Sequence, residues 1–177
     1  MISRVIKVFI LEDRQAEAEL TKRTILKFAP NALFTIASNE EDFLKKINWG
    51  SYDVMMADYN LPGYNGLEAL LHVKEHFPQL PFIFVTGTLN NEQAAAEAIL
   101  SGADGYVLKS NLKALEGTTV KVLADSVKKI EEAKENQQRI SRRKLLLNKV
   151  KTLLSDGEDF SAKQEILQSV QELEGLL

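Results

Sequence analysis

From residue 4 to about residue 110, short apolar runs alternate with longer stretches in which apolar residues recur every three or four positions. The runs VIKVFIL, Leu33–Ala37, Val54–Ala57, Phe82–Val85 and Tyr106–Leu108 predict five strands. Between the first two, Ala16, Leu20, Ile25, Leu26 and Phe28 form a helical stripe that ends before Pro30. Phe43, Leu44 and Ile47 predict a short second helix stopping before Gly50. Leu67, Leu70, Leu71 and Val73 mark a third, closed off by Pro78, and the Ala-rich stretch Glu92–Leu100 is a fourth, ended by Gly102. VMMA at 54–57 is apolar throughout, which is expected of a strand buried on both faces. Strands alternating with helices through short connections imply an α/β fold with parallel strands and right-handed crossovers. A domain of roughly 125 residues follows.

The pattern changes after residue 111. From about Leu112 to Leu154 there is no proline, and the only glycine is Gly117. That stretch predicts one long helix, far above the mean of ~12 residues. Val120, Leu123, Val127 and Ile130 have the spacing of a coiled-coil seam. The seam fades across Lys134–Arg139 and resumes out of frame at Ile140, Leu147, Val150 and Leu154, before Asp156-Gly157 stops it. Ser161 and Gln164 read as a capping box opening a last helix, with Ile166, Val170, Leu173 and Leu177 on one face. The expected domains are therefore 1–125 and a helical extension, 126–177.

Composition narrows the class. With 45% apolar and 27% charged residues, the 177-residue chain is of the globular type. No apolar run approaches the ~18 residues of a membrane span. The N-terminus lacks the pattern of a secretory signal, so a cytoplasmic location is expected. Absence of cysteine excludes thiolate chemistry and disulfides. A net charge of −3, without a basic recognition helix, points away from nucleic acid as a partner.

Chemistry enters at the strand ends. In a parallel sheet the carboxyl ends share one edge, where open α/β folds bind ligands. Glu12 and Asp13 end the first run, Asp58 the third and Thr86 the fourth, and Lys109 follows the fifth. Each has a plainer role alone: Asp13 as a helix N-cap, Thr86 as a β-branched strand residue, Lys109 as a surface lysine, Tyr106 as a packing aromatic. Together they place three carboxylates, a hydroxyl and an ammonium at one edge. Like charges there repel unless a cation neutralises them, and hard oxygen ligands favour Mg²⁺. An ionised aspartate beside Mg²⁺ can attack a phosphoryl donor.

The segments VFILED, VMMADYNLPGYNGLEAL, PFIFVTGTL and SGADGYVLKS resemble the receiver domain of two-component response regulators, over about residues 4 to 125. The resemblance implies a doubly wound sheet of five parallel strands in the order 2-1-3-4-5. It implies that Asp58 accepts a phosphoryl group from a histidine kinase or a small donor, with weak autodephosphorylation and no steady turnover as an enzyme. Asp13, Asp58 and the Asn60 backbone carbonyl would bind Mg²⁺, Glu12 would help through water, and Lys109 and Thr86 would contact the phosphoryl group. Thr86 and Tyr106 would act as the switch, altering the face made by the fourth helix, fifth strand and fifth helix. One departure stands out: receivers usually follow this lysine with proline, and here Ser110-Asn111 follows.

Implied partners are a sensor histidine kinase or phosphotransfer protein, and a second copy bound through the C-terminal helix. An alternative is the front receiver of a larger hybrid kinase or multidomain regulator, since GTLNNEQAAAEAILSGADGYVLKSNL resembles such receivers. A phosphohydrolase of the haloacid dehalogenase type is more remote. It needs a second acid two residues after the nucleophile, where this chain has Asn60. A flavodoxin-like FMN carrier would want a phosphate loop where this chain has LEDRQAEAE. His72 and His76, one helical turn apart, lack an evident third metal ligand and read as an ordinary exposed helix face.

Overall fold

The computed structural model describes residues 1–87 and 92–155, together with 165, 166, 168 and 170. Five parallel strands form the main sheet: β1 (Lys7–Leu11), β2 (Leu33–Ala37), β3 (Val54–Ala57), β6 (Phe82–Thr86) and β7 (Gly105–Leu108). A two-residue hairpin, β4 (Asn60–Leu61) with β5 (Tyr64–Asn65), lies between β3 and β6 in sequence. The main order is β2-β1-β3-β6-β7, which is the expected doubly wound order once the hairpin is set aside. Helices α1 (Gln15–Leu26), α2 (Glu40–Ile47), α3 (Gly66–His76), α4 (Glu92–Leu100) and α5 (Ala114–Ser155) complete the fold.

The strand period of two sends alternate residues to opposite faces, and two cores result. Val8, Ile10, Val54, Met56, Ile83 and Val85 pack with Ile25 of α1 and with Leu115, Val122 and Leu123 of α5. Phe9, Leu11, Met55, Phe82 and Phe84 pack on the other side with Phe43, Ile47, Leu70 and Val73. Phe9 meets Phe43 edge-on, ring centroids 5.8 Å apart. Both faces of β3 and β6 are buried, which is why their runs are apolar throughout.

The helical faces differ from the sequence reading in places. The inward face of α1 is Ala18, Thr21 and Ile25, whereas Ala16 and Leu20 are exposed. Positions 18, 21 and 25 follow the three-four spacing of one helical face, so helical phase rather than hydrophobicity decides which side is inward. On α3, Ala69, Leu70 and Val73 are buried and Leu71 is exposed. Asn65 caps α3 in a full capping box with Glu68. Beyond α4, Gly102 adopts a φ of 100°, the left-handed conformation that ends a helix at low cost.

By its internal contacts the chain divides into two compact units, Met1–Val127 and Lys128–Leu177. Helix α5 is a single element of 42 residues. In the first unit, the anticipated seam is partly spent on the core: Leu123 is buried with Leu115 and Val122, while Val120 and Val127 are exposed. In the second unit, Ile140, Leu145 and Leu147 are exposed, and Lys149 pairs with Glu165 at 3.4 Å. The stop at Asp156-Gly157, the capping box at Ser161 and Gln164, and Leu173 and Leu177 lie outside the described residues. So does Thr88, after the fourth strand of the main sheet.

Candidate functional site

Parallel register brings the carboxyl ends of β1, β3, β6 and β7 to one edge. Leu11 pairs with Ala57, and Thr86 with Leu108. Glu12 and Asp58 therefore follow paired residues on adjacent strands, and the Asp58 amide donates to the Leu11 carbonyl at 3.0 Å. Lys109 begins a single 3-10 turn, Lys109–Asn111, and no cis peptide bond occurs among the described residues. Gly66 lets the start of α3 close on the β3 end. A Cβ built there would stand 2.3 Å from the Asp58 carbonyl oxygen and 2.9 Å from Tyr59 Cα.

The Lys109 ammonium is the hub. Its Nζ donates to Asp58 Oδ2 and to Glu12 Oε2, each at 2.6 Å, and also to Glu17 Oε2. The side chains of Glu12 and Asp58 are only 4% exposed and that of Lys109 12%, so these pairs are shielded from water. Carboxylate oxygens of Glu12, Glu17 and Asp58 lie within 4.8 Å of one another. The other Asp58 oxygen, Oδ1, accepts from the Asn60 amide at 3.3 Å.

Electrostatics follows from this crowding. Burial pushes the Glu12 carboxyl above its ordinary value, and Asp58 adds to the rise against the opposing pull of Lys109. Burial also works against the charge on Lys109, but its bonds to Asp58, Glu12 and Glu17 outweigh that, so its value is raised. Lys109 thus stays protonated, while its charge is divided among three acids. Glu12 receives only a share of it, which is how burial prevails there. Tyr106, half-buried on β7, has its hydroxyl pushed upward by burial and by the charge of Asp58.

The structure thus brings Glu12, Asp58 and Lys109 into contact and sets Thr86, fully buried, at the end of β6 beside the strand that leads to Lys109. Asp13 is half-buried in the β1–α1 connection and makes no hydrogen bond or ion pair among the described residues. It is not the helix cap either: Arg14 holds that position, without a side-chain capping bond. Its carboxylate is therefore not spent on the backbone.

Two residues of the pocket were missed in the sequence reading. Arg14 Nη1 lies 2.5 Å from Glu17 Oε1, and Arg14 Nη2 lies 3.9 Å from Asp58 Oδ2. The first turn of the helix after β1 shares the edge with the strand ends, and spacing three marks one helical face. That was the available signal. Three carboxylates and Asp13 against Lys109 and Arg14 leave an excess of two negative charges. An all-oxygen donor set with that excess suits a small divalent cation.

The model of the response regulator receiver domain family matches residues 8–137. The transcriptional regulatory protein ComA of Bacillus subtilis is 34% identical over 110 residues, covering 60% of this chain and 50% of its own length. The chemotaxis protein CheY of Pseudomonas aeruginosa is 27% identical over 129 residues, covering 70% of this chain and 94% of its own. This chain thus spans half of ComA and nearly all of CheY. Among solved structures, the response regulator TrrA of Thermotoga maritima, in complex with Mg²⁺-BeF, is similar with a TM-score of 0.58 and 25% identity, over 66% of this chain and 98% of that one.

Proposed function

For a chain that belongs to the response regulator receiver domain family, we propose that Asp58 is the phosphoacceptor of a two-component switch. The carrying observation is Asp58 itself: a carboxylate 4% exposed at the sheet edge, with the Lys109 ammonium 2.6 Å away. In the transfer, the phosphorus–nitrogen bond of a kinase phosphohistidine breaks as an Asp58 oxygen bonds to phosphorus. Lys109 then exchanges a carboxylate for a phosphoryl oxygen, keeping its charge paired. Glu12, Asp13, Asp58 and the Asn60 carbonyl are the proposed Mg²⁺ ligands, Glu12 through water. The ion, when bound, neutralises charge on the transferring group. TrrA, bound to Mg²⁺-BeF, supports this assignment by similarity.

The proposed readout runs through Thr86 and Tyr106. Thr86 is fully buried at the end of β6, and Tyr106 lies on the neighbouring strand, opposite Phe84. Recruitment of the Thr86 hydroxyl toward the phosphoryl group would free space for Tyr106 to turn inward, reshaping the surface of α4, β7 and the start of α5. Switching is the activity, with slow self-hydrolysis and no turnover of a substrate. Proposed partners are a sensor histidine kinase or phosphotransfer protein, in the cytoplasm. Among the described residues no helix is long and apolar enough to cross a membrane.

The proposed output is self-association through the extension, 126–177, that follows the 1–125 receiver. Val120 and Val127, and again Ile140 and Leu147, recur at seven-residue intervals and are exposed. A heptad stripe in water is best covered by a helix of the same pattern. The Lys149–Glu165 pair favours a second reading, a hairpin closed within the extension. Both partners are over half exposed, so the pair contributes little.

Intact mass tests the first part. Acetyl phosphate with Mg²⁺ should add one phosphoryl group to the chain and none to Asp58→Asn, and persistent labelling of that variant would remove the assignment. Light scattering with and without Mg²⁺ and beryllofluoride tests the second. A dimer, constant or induced, supports the stripe as an interface; a constant monomer supports the hairpin.

A further inference from the structure

The roles proposed above leave Arg14 and Glu17 unused, although both reach into the same pocket. They stand three residues apart, Arg14 as the N-cap of α1 and Glu17 in its first turn. Each Glu17 oxygen is engaged by a different cation: Oε1 by Arg14 at 2.5 Å, Oε2 by Lys109. The Arg14 guanidinium also lies 3.9 Å from both Glu12 Oε1 and Asp58 Oδ2. Both cations thus point at the same Asp58 oxygen, since Oδ1 is taken by the Asn60 amide.

We infer that Arg14 is a second cationic contact for the phosphoryl group on Asp58, and that Glu17 holds Arg14 and Lys109 in waiting until that group arrives. The inference rests on the phosphoacceptor role proposed for Asp58. Its physical basis is competition for charge. Glu17 offers one negative charge shared between two cations, whereas a phosphoryl group offers about two, on three outward oxygens. Arg14 is 59% exposed, so its side chain can close a 3.9 Å gap without disturbing the core. Its planar fork of donors suits paired phosphoryl oxygens, which a lysine serves only as a point charge. Lys109, largely buried, would supply the fixed contact and Arg14 the movable one. Glu17 touches neither phosphorus nor its oxygens in this scheme and acts as a positioning residue. The plain alternative is an exposed pair spaced i,i+3, of little consequence to the pocket.

The two readings separate in the binding of beryllofluoride to the full chain at saturating Mg²⁺, followed by fluorine NMR. Arg14→Ala should weaken binding by about fivefold, the usual scale of one partly exposed charge-assisted bond, with Arg14→Lys in between. Glu17→Gln should strengthen binding by about threefold, because it releases both cations from a competitor. Opposite signs are the diagnostic, since damage to the fold would weaken both. An unchanged affinity in Arg14→Ala, or a weaker one in Glu17→Gln, overturns the inference while leaving Asp58 in its role. Failure of the parent chain to bind, matching Asp58→Asn, overturns the phosphoacceptor reading and this inference with it.

Discussion

Lys109→Met keeps most of the unbranched side chain and removes its charge, leaving Glu12 and Asp58 facing each other in a site where each is 4% exposed. Removing one partner of a buried ion pair costs about 3–5 kcal/mol, against ~0–1 kcal/mol for a surface pair. Glu17 is 25% exposed and Arg14 still lies 3.9 Å from Asp58, so the lower end applies, about 3 kcal/mol. That is a large part of a total stability of ~5–15 kcal/mol. The loss also depends on pH. Burial holds the Glu12 carboxyl above its ordinary value even with Lys109 opposing it, and deleting the lysine raises it further. A carboxyl raised in the folded state binds more protons than when unfolded, so it favours folding at low pH and loses that effect as pH rises through its folded value. The deficit of the variant should therefore shrink between pH 7 and about pH 5. Adding Mg²⁺ at tenfold over its dissociation constant should return about 1.4 kcal/mol by mass action. Urea unfolding of parent and variant at both pH values, with and without Mg²⁺ and at equal slope, measures all three effects. A deficit below about 1 kcal/mol at pH 7, or one unchanged at pH 5, would refute the claim that these charges are buried and mutually dependent.

Two other predictions concern residues of α3. Gly66→Ala should cost about 2–3 kcal/mol, because its Cβ meets the Asp58 carbonyl oxygen and Tyr59 Cα, backbone atoms that cannot turn away; a neutral effect in urea unfolding would contradict the close approach. His72 should titrate below its ordinary value of 6.5, from burial first and then the ring of His76 stacked 4.3 Å away. A depressed histidine favours folding above its unfolded value and loses that contribution as pH falls through the folded one. Proton NMR tests this, and a midpoint at or above 6.5 would contradict it.

Strand order and the convergence of Glu12, Asp58 and Lys109 were readable in the sequence because buried parallel strands are apolar without interruption, so the first charged residue after each run marks the sheet edge. The β4–β5 hairpin was not, since two-residue strands leave no periodic trace. The inner face of α1 was misread for a different reason. Ala18 and Thr21 are buried there because they share the three-four face of Ile25, and hydrophobicity alone favours Leu20, which is exposed. Arg14 and Glu17 were overlooked because a charged first turn is ordinary on any solvated helix. Only the three-residue spacing, next to the end of β1, ties them to the pocket. In α5 the residues of the expected seam divide, with Leu123 given to the core and Val127 left exposed.

The central claim is that Asp58 carries the phosphoryl group. An acyl phosphate is reduced by borohydride to the alcohol, so treating the acetyl phosphate-reacted chain converts the modified aspartate to homoserine. Peptide mapping should then find homoserine at position 58, only when Mg²⁺ was present, and with Asp13 unchanged. Homoserine at Asp13 or elsewhere with position 58 intact, or none under conditions that label the chain, would contradict the account.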